Sequence, residues 1–179
     1  MRVITGKYKG RKFRVSQGFH GRPTTDFAKE NLFNVLRALV DFNNLSAIDL
    51  FAGTGSISLE LLSRGCSRVV SVERDERNFR SLLRLKQELQ DPAWHLVLSD
   101  ALRIIANPNS SFGLVFADPP YSLPQLPQLP DIILQSTLLE RGGLLVLEHG
   151  KETQFSSHPA LQDHRTYGAV NFSFFSKPL

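Results

Sequence analysis

The sequence predicts an α/β fold, a doubly wound and mostly parallel sheet of seven strands that ends in an antiparallel hairpin. Three observations support this. From Ser46 onward, short apolar runs alternate with helix-like segments, as in right-handed βαβ units. A glycine-rich turn follows the first apolar run. The last two β-like runs, 162–167 and 169–176, flank Tyr167-Gly168, which favours a reversed pair of strands.

The elements can be assigned in order along the chain. Glycines separate short β-like pieces at the N-terminus, which indicates a small β-hairpin arm over residues 1–22, and the main domain follows over residues 23–179. Thr25 or Asp26 can cap a helix that runs to about residue 40. The remaining pattern predicts strands at 46–51, 67–73, 94–98, 112–117 and 143–148, and helices at 56–64, 75–89, 101–106 and 129–139.

Composition excludes several classes of protein. Hydrophobic residues make up 41% of the chain and charged residues 21%, which is typical of a folded domain rather than a disordered one. No apolar run approaches the roughly 20 residues that span a membrane, and the N-terminus does not resemble a signal peptide. Cys66 is the single cysteine, and the five histidines lack ligand spacing. We therefore expect a cytoplasmic monomer with no metal and no membrane partner.

Positive charge is concentrated at the N-terminus. Seven of the 21 Lys and Arg residues precede the first acid, Asp26, which leaves 14 against all 17 acids. A basic arm on a near-neutral body favours contact with a nucleic acid, although a solvated basic hairpin would have the same composition. The predicted RNA-binding residues of the arm are Lys7, Lys9, Arg11, Lys12, Arg14 and Arg22.

The turn after the first strand has the properties of a cofactor site. The run DLFAGTGS begins at Asp49 and carries Phe51, Gly53 and Gly55 into the next helix. Glycines allow a ligand to approach the backbone closely, and open α/β sheets bind ligands at the carboxyl ends of their strands. The run is an imperfect dinucleotide motif, because Ser58 stands where a third glycine or alanine would be.

Acids follow three consecutive strands and indicate which ligand binds there. Asp49 can meet the cationic amino group of a methionine moiety, and Glu73 can accept from both ribose hydroxyls. Asp100, next to Ala101, can accept from an adenine amino group, although it could also simply cap the following helix. Together they favour S-adenosylmethionine, a sulfonium cation, over a pyrophosphate ligand.

The candidate catalytic residues are Asp118, Pro119, Pro120 and Tyr121, directly after the apolar strand 112–117. The two prolines end the strand and stiffen the turn, which could be their only role. The functional interpretation is an amino-methyltransferase site. Asp118 and the Pro119 carbonyl accept hydrogen bonds from a conjugated amino nitrogen, while Tyr121 stacks on the extruded base.

These segments together resemble the bacterial guanine-N2 methyltransferases that act on 16S rRNA, across nearly the whole chain. The resemblance is carried by 2–12, by Arg22-Pro23-Thr24-Thr25-Asp26, by 29–34, by DLFAGTGS, by Ser63-Arg64-Gly65, by the Asp118–Tyr121 motif and by Val146-Leu147-Glu148-His149. The chain has Phe27-Ala28-Lys29-Glu30 where the family often carries Arg-Val-Arg-Glu.

The resemblance implies a class I methyltransferase fold and methyl transfer from S-adenosylmethionine to N2 of one guanine in 16S rRNA or a small-subunit assembly particle. It also implies that Thr25 and Glu30 contact the cofactor. Two alternatives remain at this point. One is an N6-adenine nucleic-acid methyltransferase, which is normally larger because it carries a base-reading domain. The other is an RNA-binding module without catalysis, against which the intact glycine and DPPY runs argue.

Overall fold

The computed structural model describes residues 1–13 and 24–179, and it contains one seven-stranded sheet flanked by helices. The strands are β1 (Ser46–Asp49), β2 (Arg68–Glu73), β3 (Trp94–Leu98), β4 (Phe112–Ala117), β5 (Leu139–His149), β6 (Leu161–Tyr167) and β7 (Val170–Ser176). The helices are α1 (Asp26–Leu39), α2 (Ser56–Ser63), α3 (Glu76–Leu89), α4 (Ala101–Ala106) and α5 (Leu129–Gln135), preceded by a 3₁₀ turn at Leu126–Gln128.

The strand order is β3-β2-β1-β4-β5-β7-β6, which confirms the predicted fold class. The five strands from β1 to β5 are mutually parallel, whereas β7 is antiparallel to both β5 and β6. The order along the sheet reverses between β1 and β4, where ligands bind in open α/β sheets.

Helices cover both faces of the sheet, and the strands alternate between two apolar clusters. In β1, Ala47 packs into the cluster that includes Leu32 and Phe33 of α1, whereas Ile48 packs into the cluster that includes Ile133 of α5. Burial of both faces explains why these strands are continuous apolar runs rather than alternating ones. No described helix is long and apolar enough to cross a membrane.

The predicted helix over 129–139 is four residues too long. Helix α5 ends at Gln135, and β5 already begins at Leu139, which pairs with Phe112. Ser136 ends the helix in an extended conformation, and its hydroxyl accepts from the Leu138 amide. A side chain that bonds its own backbone two residues on competes with helix formation, and apolar spacing alone does not reveal this competition.

The N-terminal arm is less regular than the predicted hairpin. Within residues 1–13, its antiparallel pairing is a single bridge between Arg2 and Lys12, closed around turns at Gly6 and Gly10 with positive φ angles. Val3 and Phe13 are buried in the core cluster that also holds α1 and α2. The described part of the arm is therefore packed on the domain, and the predicted boundary between 22 and 23 lies outside the described residues.

Candidate active site

A cavity of about 880 Å³ lies at the carboxyl ends of the central strands. Most of the predicted cofactor and catalytic residues line it, namely Thr25, Asp49, Phe51, Gly53, Glu73, Ala101, Asp118, Pro119, Pro120 and Tyr121. The volume lies within the range of small-molecule pockets, about 300–1,000 Å³. The fold thus brings the glycine turn and the Asp118–Tyr121 motif into one space.

The glycine turn forms one part of the cavity wall. Gly53 and Gly55 both adopt positive φ angles, of 51° and 77°, a conformation that other residues rarely tolerate. The Gly53 amide donates to Glu73 at 2.9 Å. Gly55 does not line the cavity, because it forms the cap of α2, where an added Cβ would lie 2.7 Å from Leu82. The positive φ angle of this cap therefore explains the glycine, and the nearby Leu82 side chain adds to the restriction.

Asp49 presents a buried acceptor at the end of β1. Its side chain is about 1% exposed, its Oδ2 accepts from the Ser58 hydroxyl at 2.7 Å, and its Oδ1 has no partner among the described residues. Burial raises the pKa of Asp49 to about 7, against the lowering effect of the Ser58 bond. An unsatisfied buried oxygen is costly, so this atom is ready for a donor or a cation.

A buried chain of hydrogen bonds orients Asp49. Trp94 Nε1 can only donate, and it donates to Ser71 Oγ at 2.8 Å. Ser71 and Ser58 are 2.6 Å apart, and Ser58 donates to Asp49. Since the Ser58 hydroxyl has one hydrogen and gives it to Asp49, Ser71 must donate to Ser58. The serine at position 58, which departs from the dinucleotide motif, therefore holds the carboxylate.

Glu73 ends β2, and each of its carboxylate oxygens accepts one hydrogen bond from the backbone. Its Oε2 accepts from the Gly53 amide and its Oε1 from the Asp75 amide, at 2.9 and 2.7 Å. The residue is 8% exposed and lines the cavity. Two backbone donors hold the carboxylate rigidly, and its second lone pairs stay available for ribose hydroxyls.

The Asp118–Tyr121 motif forms the opposite wall. Asp118 has no hydrogen bond to its carboxylate within the described residues, and burial together with the Glu148 and Asp49 charges raises its pKa well above the usual range. Tyr121 is half-exposed, and its ring approaches Gly150 so closely that an added Cβ would lie 3.0 Å away. Its hydroxyl donates to Glu148 Oε1 at 3.3 Å.

Glu148 is a site residue that the residue patterns alone did not identify. It lies near the end of β5, is 4% exposed, and lines the cavity. Thr24 and Tyr121 donate to its two oxygens at 3.4 and 3.3 Å, and burial raises its pKa to about 7. The signal that could have found it was an acid at the end of a fifth parallel strand, next to Asp118.

Two further predicted cofactor residues do not line the cavity. Glu30 is exposed on α1. Asp100 caps α4 by accepting from the Leu102 amide at 2.8 Å, and it lies 3.8 Å from Arg74. The structure thus gives Asp100 the capping role that the sequence left open, while its neighbours Ser99 and Ala101 reach the cavity.

Aromatic side chains at the mouth of the cavity also went unpredicted. Phe27 is 67% exposed and meets Tyr167 edge to face, with ring centroids 6.1 Å apart. Both rings line the cavity, together with Gly168 in the turn between β6 and β7. The C-terminal hairpin therefore closes one side of the site.

The cations of the arm fall into two groups. Lys7 pairs with the buried Asp91 at 2.8 Å, and Arg11 lies 3.6 Å from Glu88. Lys9 and Lys12 are exposed and have no ion pair with any described residue. Arg14 and Arg22, which were also predicted to bind RNA, lie outside the described residues.

Solved structures with the same fold identify the class of protein. The chain superposes with a TM-score of 0.86 on an Escherichia coli protein described as "Putative methyltransferase yhhF", at 27% identity and over 99% of this chain and 98% of that one. An RNA methyltransferase from Salinibacter ruber, solved with S-adenosyl-L-homocysteine, shares the fold with a TM-score of 0.68 at 15% identity, over 88% and 94% of the two chains. The fold is that of the class I methyltransferases.

The family follows from the sequence itself. The model of the family described as "Conserved hypothetical protein 95" matches residues 1–176, and the chain belongs to this family. A Bacillus subtilis (strain 168) relative named "Putative rRNA methyltransferase YlbH" is 32% identical, over 99% of each chain. Ribosomal RNA small subunit methyltransferase D of Escherichia coli K12 is 28% identical, over 99% of this chain and 90% of that protein. The resemblance found in the sequence is thereby confirmed.

Proposed function

We propose that the protein transfers a methyl group from S-adenosylmethionine to N2 of a guanine in 16S rRNA. The observation that carries this proposal is the cavity shared by Asp118 of the DPPY turn with Asp49 and Glu73 of the cofactor side. The names of the relatives, which specify rRNA and the small subunit, support the choice of polymer.

The residues present fit this cofactor. The unpartnered Oδ1 of Asp49 suits the ammonium group of the methionine moiety, and Glu73 suits the ribose hydroxyls. Gly53 keeps the turn free of a side chain where the ligand must approach the backbone. When bound, S-adenosylmethionine supplies an electrophilic methyl group on a sulfonium. A positive charge there also favours the ionised form of the surrounding carboxylates.

The chain's own residues then prepare the amino nitrogen. Asp118 and the Pro119 carbonyl accept its two hydrogens, which draws the lone pair out of conjugation and toward the methyl carbon. Bound S-adenosylmethionine would supply the methyl group and leave as the neutral thioether, and Asp118 can take the proton that the methylated nitrogen sheds. Tyr121 offers a ring for the extruded base, a contact worth about 1–3 kcal/mol.

The RNA contact of the arm remains part of the proposal. Lys9 and Lys12 are exposed cations that no described acid neutralises, so they are available for phosphates. Arg14 and Arg22 are included on their sequence position alone. Lys7 and Arg11 are also included as RNA contacts, although each already has an acidic partner within the chain. We also propose that one copy of the chain, comprising the arm and the domain, is sufficient for activity.

The test is to incubate the full chain and labelled S-adenosylmethionine with 16S rRNA, and separately with small subunits, from cells lacking the gene. We expect a single labelled nucleotide that digestion identifies as N2-methylguanosine. N6-methyladenosine would instead support the adenine alternative. If RNA binds but the cofactor does not, the chain is an RNA-binding module.

A further inference from the structure

We propose that Glu148 reads the N1–H of the target guanine and so determines the choice of guanine over adenine. This inference rests on the proposed function, and it concerns a residue to which neither the fold nor the cofactor assigns a task. It starts from the register of the sheet. Ala117 and Leu147 are paired on the parallel strands β4 and β5, and Asp118 and Glu148 are the next residue on each.

The register puts two carboxylates side by side. Adjacent strands are about 4.8 Å apart, and paired residues of parallel strands project to the same face. Both side chains line the cavity, and the charge of Glu148 acts on Asp118. Carboxylates that extend from neighbouring strands into one cavity can converge on a ligand edge that carries two neighbouring donors.

Guanine has such an edge. Its N1–H and its N2 amino group are adjacent donors on the Watson–Crick side, whereas adenine offers its N6 amino group next to a bare N1 acceptor. With Asp118 on the amino group, Glu148 is positioned for the ring nitrogen. Above its raised pKa of about 7, the ionised Glu148 carboxylate would gain a charge-assisted bond from guanine and would face a lone pair on adenine.

The environment of Glu148 leaves it able to accept. Its present donors are the hydroxyls of Thr24 and Tyr121, at 3.4 and 3.3 Å, longer than the usual 2.7–2.8 Å for such bonds. These contacts orient the carboxylate without saturating its lone pairs. A buried acceptor that is only weakly satisfied gains more from a ligand donor than an exposed one would.

The test uses 2-aminopurine, which keeps the amino group of guanine but has a bare N1. The methylated nucleotide is first mapped, and the full chain then acts on RNA carrying either guanine or 2-aminopurine at that position. We expect the wild type to favour guanine at least about a hundredfold in kcat/KM, because a polar site rejects an analogue that lacks the matching group. Glu148→Gln can donate to the bare N1, so the ratio should fall below about tenfold or invert.

Two features make the result decisive. Since 2-aminopurine also lacks O6, and that loss affects both proteins alike, the change in the ratio isolates N1. Glu140→Gln, the same substitution at the exposed start of β5, should leave the ratio unchanged. Binding of S-adenosylmethionine to each variant, measured by calorimetry, checks that the site is intact.

Three outcomes would overturn the inference. A wild type that accepts 2-aminopurine as readily as guanine does not read N1–H. A Glu148→Gln variant that loses activity on both substrates in equal proportion assigns Glu148 a positioning role only. If the wild type methylates no guanine at N2, the proposed function fails, and this result is separate from the first two.

Discussion

The two halves of the cavity differ in how their carboxylates are satisfied. On the cofactor side, Glu73 accepts from two backbone amides, and Asp49 is held by the Ser58 hydroxyl. On the base side, Asp118 has no hydrogen bond from a described residue, and Glu148 has two long ones from hydroxyls. Protein donors thus fix the cofactor-side carboxylates in position and leave Asp49 Oδ1 for the ligand, whereas described donors hold the base-side carboxylates only weakly or not at all.

The largest expected effect tests whether the halves are separable. Asp118→Ala should lower the rate of methylation about a thousandfold. The amino nitrogen would then have no carboxylate to accept its hydrogen bond and none to take its proton. The affinity for S-adenosylmethionine, measured by calorimetry, should stay within about threefold. An equal loss of cofactor affinity would show that the two halves act as one unit.

Glu73→Gln should disturb the hydrogen bonds that organise the cofactor side of the cavity. The amide keeps one acceptor oxygen, so either the Gly53 or the Asp75 amide loses its partner. We expect the Kd for S-adenosylmethionine to rise about tenfold, which is about 1.4 kcal/mol, with a near-normal rate at saturating cofactor. Glu76→Gln on the exposed first turn of α3 is the matched control. A normal Kd together with a reduced saturated rate would contradict the assignment.

The pH dependence of cofactor binding sharpens the comparison further. The pKa of Asp49 is raised to about 7 in the folded protein. The contribution of this residue to the stability of the fold is therefore fully present below its ordinary pKa and is lost as the pH rises through 7. A cationic ligand prefers the ionised form, and affinity should therefore increase about tenfold from pH 6 to pH 8. Asp49→Asn should flatten the curve, whereas Glu148→Gln should retain it. A rise that persists in Asp49→Asn would assign the titration to another group.

The smallest effect lies outside the cavity. Replacing Lys9 and Lys12 with alanine should weaken RNA binding and reduce the salt slope of log Kd by about 1.4–1.8, as expected for two phosphate contacts. Cofactor affinity should not change. Arg141→Ala, which removes an exposed cation of β5, serves as control. An unchanged slope in the double variant would leave the arm without a role in RNA binding.

The sequence was sufficient for the features that depend on the order of elements. Parallel strands end at one edge, so Asp49, Glu73 and Asp118 could be grouped from their positions along the chain alone. The direction of a side chain beyond a strand or around a helix could not be predicted in the same way. This is why Asp100 proved to be a cap, Glu30 proved to be exposed, and Glu148 was missed as a site residue.

Packing and backbone conformation account for the other differences. Gly55 carries the expected glycine signal, but its left-handed backbone conformation at the start of α2, rather than a ligand, requires glycine there. The approach of Phe27 and Tyr167 depends on how the C-terminal hairpin meets α1, a contact between residues 140 positions apart. Such contacts follow from the tertiary structure and leave no local pattern.

The buried carboxylate of Glu60 has a consequence for the dynamics of the N-terminus. It accepts from the amides of Ile4 and Thr5, at 2.8 and 3.0 Å, and from Arg64, while being fully buried in α2. Amide hydrogens held in this way exchange slowly with solvent, although they belong to no regular strand. In a hydrogen-exchange experiment the residues at the start of the chain should therefore show the protection of a sheet interior. RNA that binds the arm would therefore act on α2, the same helix that begins at the glycine turn.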